Sequence, residues 1–151
     1  GNFYALFGIA DCQRGLNHHQ QSLDAWNRIL ESDPKNKVII TRAGDALRNL
    51  GRTEEAESYY RRALNIEFDL YAVIGLALIH KARGNFLQAV ESLTGVLVQN
   101  PKNHRLVIEV ADCYIQMGKP QSAIEVMTRF LRLGGKNAYI SDLLRSLQKS
   151  E

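Results

Sequence analysis

Four histidines, two cysteines and one Gly-Gly-Lys run are among the residues of this chain whose types could support a reaction. A general base or nucleophile works only beside a group that activates or orients it, so spacing is the first test. His18 and His19 fall at a predicted turn, His80 in a predicted helix and His104 at the start of another; none has a carboxylate or thiol partner at motif spacing. Cys12 and Cys113 are too few for a disulfide framework and lack the second ligand pair that a zinc site needs, so they read as buried small apolar residues. Gly134-Gly135-Lys136 has no strand before it and not the six-residue spacing of a phosphate loop, and reads as a helix terminator. The sequence therefore predicts no enzyme: no catalytic group, no cofactor and no metal.

The chain as a whole narrows the choice further. Its 151 residues fall within the size of one domain and can bury a core without metal or disulfide support. Apolar residues make up 45% and charged residues 23%, which excludes a disordered or collagen-like chain. A formal charge of +3, with no Lys/Arg run longer than the pair Arg61-Arg62, leaves no concentrated footprint for nucleic acid or anionic lipid. Carboxylates at Asp11, Asp45 and Asp112, interleaved with Arg42, Arg48, Lys81 and Arg105, also argue against a phosphate track. No apolar stretch approaches the roughly 20 residues of a membrane-spanning helix, so a soluble chain is expected. Gly1 rather than Met opens it, as expected of a piece of a longer protein.

The elements that must position any site come from an internal repeat. Small residues Ala10, Gly44, Ala77 and Ala111 lie 34, 33 and 34 residues apart, and Leu30, Leu64, Leu97 and Leu131 keep the same spacings. Asn17, Gly51, Gly84 and Gly118 each follow the small residue by seven, where a helix end with positive φ suits glycine. Asp33-Pro34 and Asn100-Pro101 stop a second helix in two of the repeats, because proline lacks the N–H and disfavours the α region before it. Ile40, Ala43, Leu47 and Leu50, then Ala56, Tyr59, Tyr60, Ala63 and Leu64, recur at three- and four-residue steps, so both helices are amphipathic. Thr53 is expected to cap one helix and Pro120 to open another.

Two antiparallel helices approach closely only where one lacks bulk. Ser22, Ala56, Ala89 and Ala123 supply the facing small positions, and Trp26, Tyr60, Leu93 and Met127 then fill the core further along. Leu64 is expected to fill space between stacked pairs, so that its truncation opens a cavity.

This pattern resembles the tetratricopeptide repeat, a 34-residue helix–turn–helix with small residues at places 8 and 20, an aromatic near 24 and proline near 32. The resemblance implies an all-α, right-handed superhelical solenoid of antiparallel helix pairs. It covers repeats at 3–36, 37–69, 70–103 and 104–137 within one domain, 1–151. The second repeat is one residue short and has Phe68 at the proline place; the first has Asn17, Ser22 and Gln13 at places usually glycine, alanine and a large apolar residue. Tyr139, Ile140, Leu143, Leu144 and Leu147, opposite Ser141, Asp142, Arg145, Gln148 and Lys149, resemble a solvating cap helix over 138–150. No such cap precedes Phe3, Tyr4 and Phe7, which makes that end a candidate surface for self-association.

In the resembled family the first helix of each repeat lines a concave groove through places 2, 5, 6, 9, 12 and 13. Carried onto this chain, those places give Tyr4, Phe7, Val38, Tyr71, Ile74, Leu78, Ile108 and Ile115 as apolar residues. The charged residues are Asp11, Arg14, Arg42, Asp45, Arg48, Lys81, Arg105, Glu109 and Asp112. Such a mixture suits a protein or peptide ligand docked by apolar anchors, with charges setting register. Aspartate recurs at place 9 in three repeats, either for partner recognition or as a ladder of internal ion pairs. Phe7, Asp11, Arg42, Tyr71 and Gly75, or Thr41, Asp45, Gly75, Arg105 and Glu109 one repeat on, do not make the cationic clamp that chaperone-binding members close on a terminal carboxylate. The expected function is a protein-interaction scaffold, with a self-assembly module as the alternative.

Overall fold

In the computed structural model, which describes residues 3–150, nine α-helices run in order and no strand occurs among the described residues. They are α1 (Phe3–Gly15), α2 (His19–Ser32), α3 (Lys37–Asn49), α4 (Thr53–Ile66), α5 (Leu70–Ala82), α6 (Phe86–Leu97), α7 (His104–Gln116), α8 (Pro120–Arg132) and α9 (Ala138–Lys149). Gly1 and Glu151, the ends of the expected domain, lie outside the described residues. The chain forms two compact units, one reaching Ile79 and the other beginning at His80.

The turns inside helix pairs form as the small-residue register requires. Gly51, Gly84 and Gly118 have φ of 78°, 79° and 73°, and Asn17 takes the same left-handed conformation at 60°. In that conformation the amide three residues past the helix reaches back, as when Lys119 N donates to the Tyr114 carbonyl at 2.8 Å and His18 N to that of Gln13 at 2.8 Å. A Cβ in this region costs roughly 1–2 kcal/mol, which asparagine partly escapes. Gly118→Ala should therefore lose ~1–2 kcal/mol in urea unfolding, and Asn17→Gly should gain stability; equal midpoints for Gly118→Ala and wild type would contradict the account.

Helix starts follow a signal that the sequence reading missed. Asn36, Asn103 and Asn137 precede α3, α7 and α9, and each side-chain oxygen accepts from the amide three residues on, at 3.2, 3.2 and 3.0 Å. The repeated Pro-Lys-Asn at 34–36 and 101–103 was that signal. Thr53 does not cap α4. It is the first helical residue, after Arg52, and its hydroxyl donates to the Gly51 carbonyl at 3.5 Å.

In the first unit α1 packs on α2, α2 on α3 and α3 on α4. Ala10, Gly44 and Ala56 are buried at the crossings, beside Trp26, Ile29, Ile40 and Tyr60. Ser22 replaces alanine here without penalty, because its buried hydroxyl donates to the Ala10 carbonyl at 3.0 Å. In the second unit α6 packs on α7, α7 on α8 and α8 on α9. Its core joins Val107, Ala111, Ala123, Met127 and Phe130 to Ile140 and Leu144 of α9.

Candidate functional site

The first helices of the first unit, α1, α3 and α5, carry most of the expected groove residues, and many of these hold one another. Asp11 accepts from Arg14 Nη2 at 2.6 Å and Nε at 3.1 Å, and Arg42 Nη1 lies 3.9 Å away. The Arg14 hydrogen bond keeps the Asp11 carboxyl below the usual carboxylate range. The Arg42 guanidinium also lies over the rings of Phe7 and Trp26, 5.6 and 5.7 Å from their centroids, and those two rings meet edge to face at 5.3 Å. Phe7, Asp11 and Arg42 thus join α1 to α3.

A second cluster is built on Tyr60, which α4 delivers fully buried against Gly44 and Gly75. Its hydroxyl donates to Asp45 Oδ1 at 2.5 Å and accepts from Arg48 Nε at 3.2 Å; Arg48 Nη2 is 3.9 Å from Asp45. Burial, then the Asp45 charge, pushes the phenol well above its ordinary value.

In the second unit Lys81, at the end of α5, donates to Glu109 Oε2 at 3.1 Å and is ion-paired with Asp112, both on α7. Burial works against the Lys81 charge, but the two carboxylates outweigh it and raise the ammonium above its ordinary value. All three aspartates of the recurring place are therefore held by cations or a phenol of the same chain.

A different subset faces outward. Tyr4, Val38 and Tyr71 stand at the same register on α1, α3 and α5 and are 83%, 50% and 59% exposed. Arg105, at that register on α7, is exposed, and Leu78 is half-buried. Ile74 is 1% exposed and cannot meet a partner. Its register lies at the edge of the helix contact, where Thr41 too is buried, its hydroxyl donating to Asp69 Oδ2 at 2.8 Å. Asp69, 8% exposed, accepts from Tyr71 N at 2.9 Å and so fixes the start of the helix that presents Tyr71.

The reactive residue types are dispersed. Cys113 is buried, and burial raises its thiol pKa; Cys12 is exposed on α1, contrary to its reading as a core residue, because that register faces outward at the first helix. His18 Nδ1 lies 2.7 Å from Gln13 Oε1, and His80 Nδ1 is buried without a hydrogen-bond partner. Among the described residues no three His, Cys, Asp or Glu side chains gather as metal ligands, and no helix is long and apolar enough to cross a membrane.

Sequence models described as tetratricopeptide repeat match residues 4–36, 39–70 and 81–147. Comparison with curated proteins gives no match. Among solved structures, a tetratricopeptide repeat protein of Parabacteroides merdae superposes with a TM-score of 0.82 at 20% identity, covering 99% of this chain. The chain spans 59% of that protein's length. A thermophilic protein of the same type from Thermus thermophilus gives 0.81 at 18% identity, over 95% of this chain and 80% of its own. The Naa15/Naa10 structure bound to HypK-THB gives 0.71 at 21% identity, over 87% of this chain and 20% of the matched one. At these identities the likeness shows the fold: all-α helical repeats.

Proposed function

The chain belongs to the tetratricopeptide-repeat family, and from that premise we propose that it is a non-enzymatic scaffold that takes up a peptide or helical segment of a partner protein on its first helices. Repeats of this family are generally protein–protein interaction modules. The observation that carries the reading is the exposed row Tyr4, Val38 and Tyr71, repeated at one register while neighbouring charges neutralise one another. Exposed aromatics on a rigid helix lose little conformational freedom on binding and make good anchors. Repeats at 3–36, 37–69, 70–103 and 104–137, with a cap over 138–150, belong to the same proposal, as does a contact by Arg105 in the second unit.

The test compares wild type with Tyr71→Ala and, separately, Arg105→Ala in affinity capture from the native source. Both side chains are exposed, so melting temperature should not change, whereas a partner held by wild type should be depleted several-fold with Tyr71→Ala. Capture of the same proteins by all three would overturn the reading. Asp45→Ala is a poor probe, since it removes the acceptor of the buried Tyr60 hydroxyl.

A second reading, self-association, is favoured by one observation. Ile9 and Cys12 are exposed on α1, whereas Ala43 and Ala46, their equivalents on α3, are buried in the contact that α3 makes with α2. Light scattering over a concentration series separates the two readings, since a monomer throughout leaves only the first.

A further inference from the structure

The second unit contains a cavity of about 360 Å³, and the first unit shows what this fold places there. His19, Lys37 and Thr53, which open α2, α3 and α4, each lie 67 residues before Phe86, His104 and Pro120, which open α6, α7 and α8. In the first unit the Tyr59 hydroxyl donates to Asn27 Oδ1 at 3.0 Å. The Arg62 guanidinium lies over the Tyr59 ring, 5.9 Å from its centroid, while its Nη2 donates to the Pro34 carbonyl at 2.5 Å. Moved on by 67, these residues become Thr94, Val126, Arg129 and Pro101, and all four line the cavity. Hydroxyl acceptor, guanidinium and proline turn are kept, and valine stands where the phenol was.

We propose that this cavity takes an aromatic side chain of a partner protein, a tyrosine whose ring lies under Arg129 and whose hydroxyl donates to Thr94 Oγ1. Thr94 already donates its own proton to the Val90 carbonyl at 2.7 Å, which leaves its oxygen to accept. Val107, Val110 and Phe130 give the cavity an apolar lining. Val98 and Leu133 also line it and are 80% and 43% exposed, so apolar surface continues beside it for the residues flanking the tyrosine. The volume falls at the lower end of the range for small-ligand sites, about 300–1,000 Å³, and is ample for one aromatic side chain. This site goes beyond the first-helix row and does not depend on it.

The test titrates the full chain with N-acetyl-tyrosinamide and, separately, N-acetyl-leucinamide, following the methyl resonances of Val98, Val107 and Val126. The tyrosine probe should shift them saturably at millimolar concentration and the leucine probe should not. Val126→Tyr, which installs the first unit's ring, should abolish the response and raise the melting temperature. Arg129→Ala should weaken binding by about two- to fivefold, the strength of one exposed cation–π contact. The absence of a saturable shift, an equal response to leucine, or undiminished binding by Val126→Tyr would overturn the proposal. Should Val126→Tyr fail to fold, Arg129→Ala decides: weaker binding supports the site and unchanged affinity rejects it.

Discussion

Truncating Tyr60 to alanine is expected to lower folding stability by ~3–5 kcal/mol, the usual range for a fully buried aromatic side chain. The ring is 0% exposed and is enclosed by Gly44 and Gly75, two positions without side chains that could relax into the space. Removing only the hydroxyl separates packing from polarity. Tyr60→Phe deprives Asp45 of a donor at 2.5 Å, yet that carboxylate is 38% exposed and can recover water, so the loss should stay near ~1 kcal/mol. Urea unfolding followed by circular dichroism reads both. Equal losses for the two variants would show that the hydroxyl, and not the ring, holds these helices together.

Gly75 should respond oppositely to a helical glycine with open space around it. A helix-interior glycine is normally improved by alanine, by about 0.5–1 kcal/mol. Gly95 in α6 has nothing within 4 Å of an added Cβ and should show that gain. At Gly75 the added carbon would fall on the Tyr60 ring itself, with ring atoms at 2.6 Å on either side. Gly75→Ala should therefore lose about 1–3 kcal/mol, as overpacking does, and Tyr60→Leu in the same chain should recover part of it. The sign decides: stabilisation by Gly75→Ala would mean that the ring does not occupy that place.

How far the sequence could be read depended on how local each cause is. The crossing residues Ala10, Gly44, Ala77 and Ala111 and the turn at Gly118 obey a register fixed by one helix pair, so a period of 34 exposes them. The wide spaces between pairs follow from side chains far apart in sequence. Lys81 meets Glu109 and Asp112 across about one repeat, so the repetition of aspartate did not reveal that Asp112 was already paired. Ile74 and Thr41 sit at a register on the margin of the helix contact, and contacts with residues distant in sequence, such as that of Thr41 with Asp69, decide that they are buried. Leu64, expected to plug the gap between pairs, is only partly buried and packs against the core that holds the fully buried Tyr60. The cavity near Val126 was illegible for a different reason: an unfilled space is visible in sequence only after Tyr59 and Arg62 show what fills its counterpart.

The most direct measurement of the interaction role is site-specific photocrosslinking in extract of the native source, with p-benzoylphenylalanine at position 71 on α5 or at position 87 on α6. Both positions are 59% exposed, so accessibility alone does not favour either. A scaffold that binds through its first helices should give a discrete adduct from position 71 that unlabelled protein competes away, and little from position 87. Adducts from position 87 alone, or none from position 71, would contradict it.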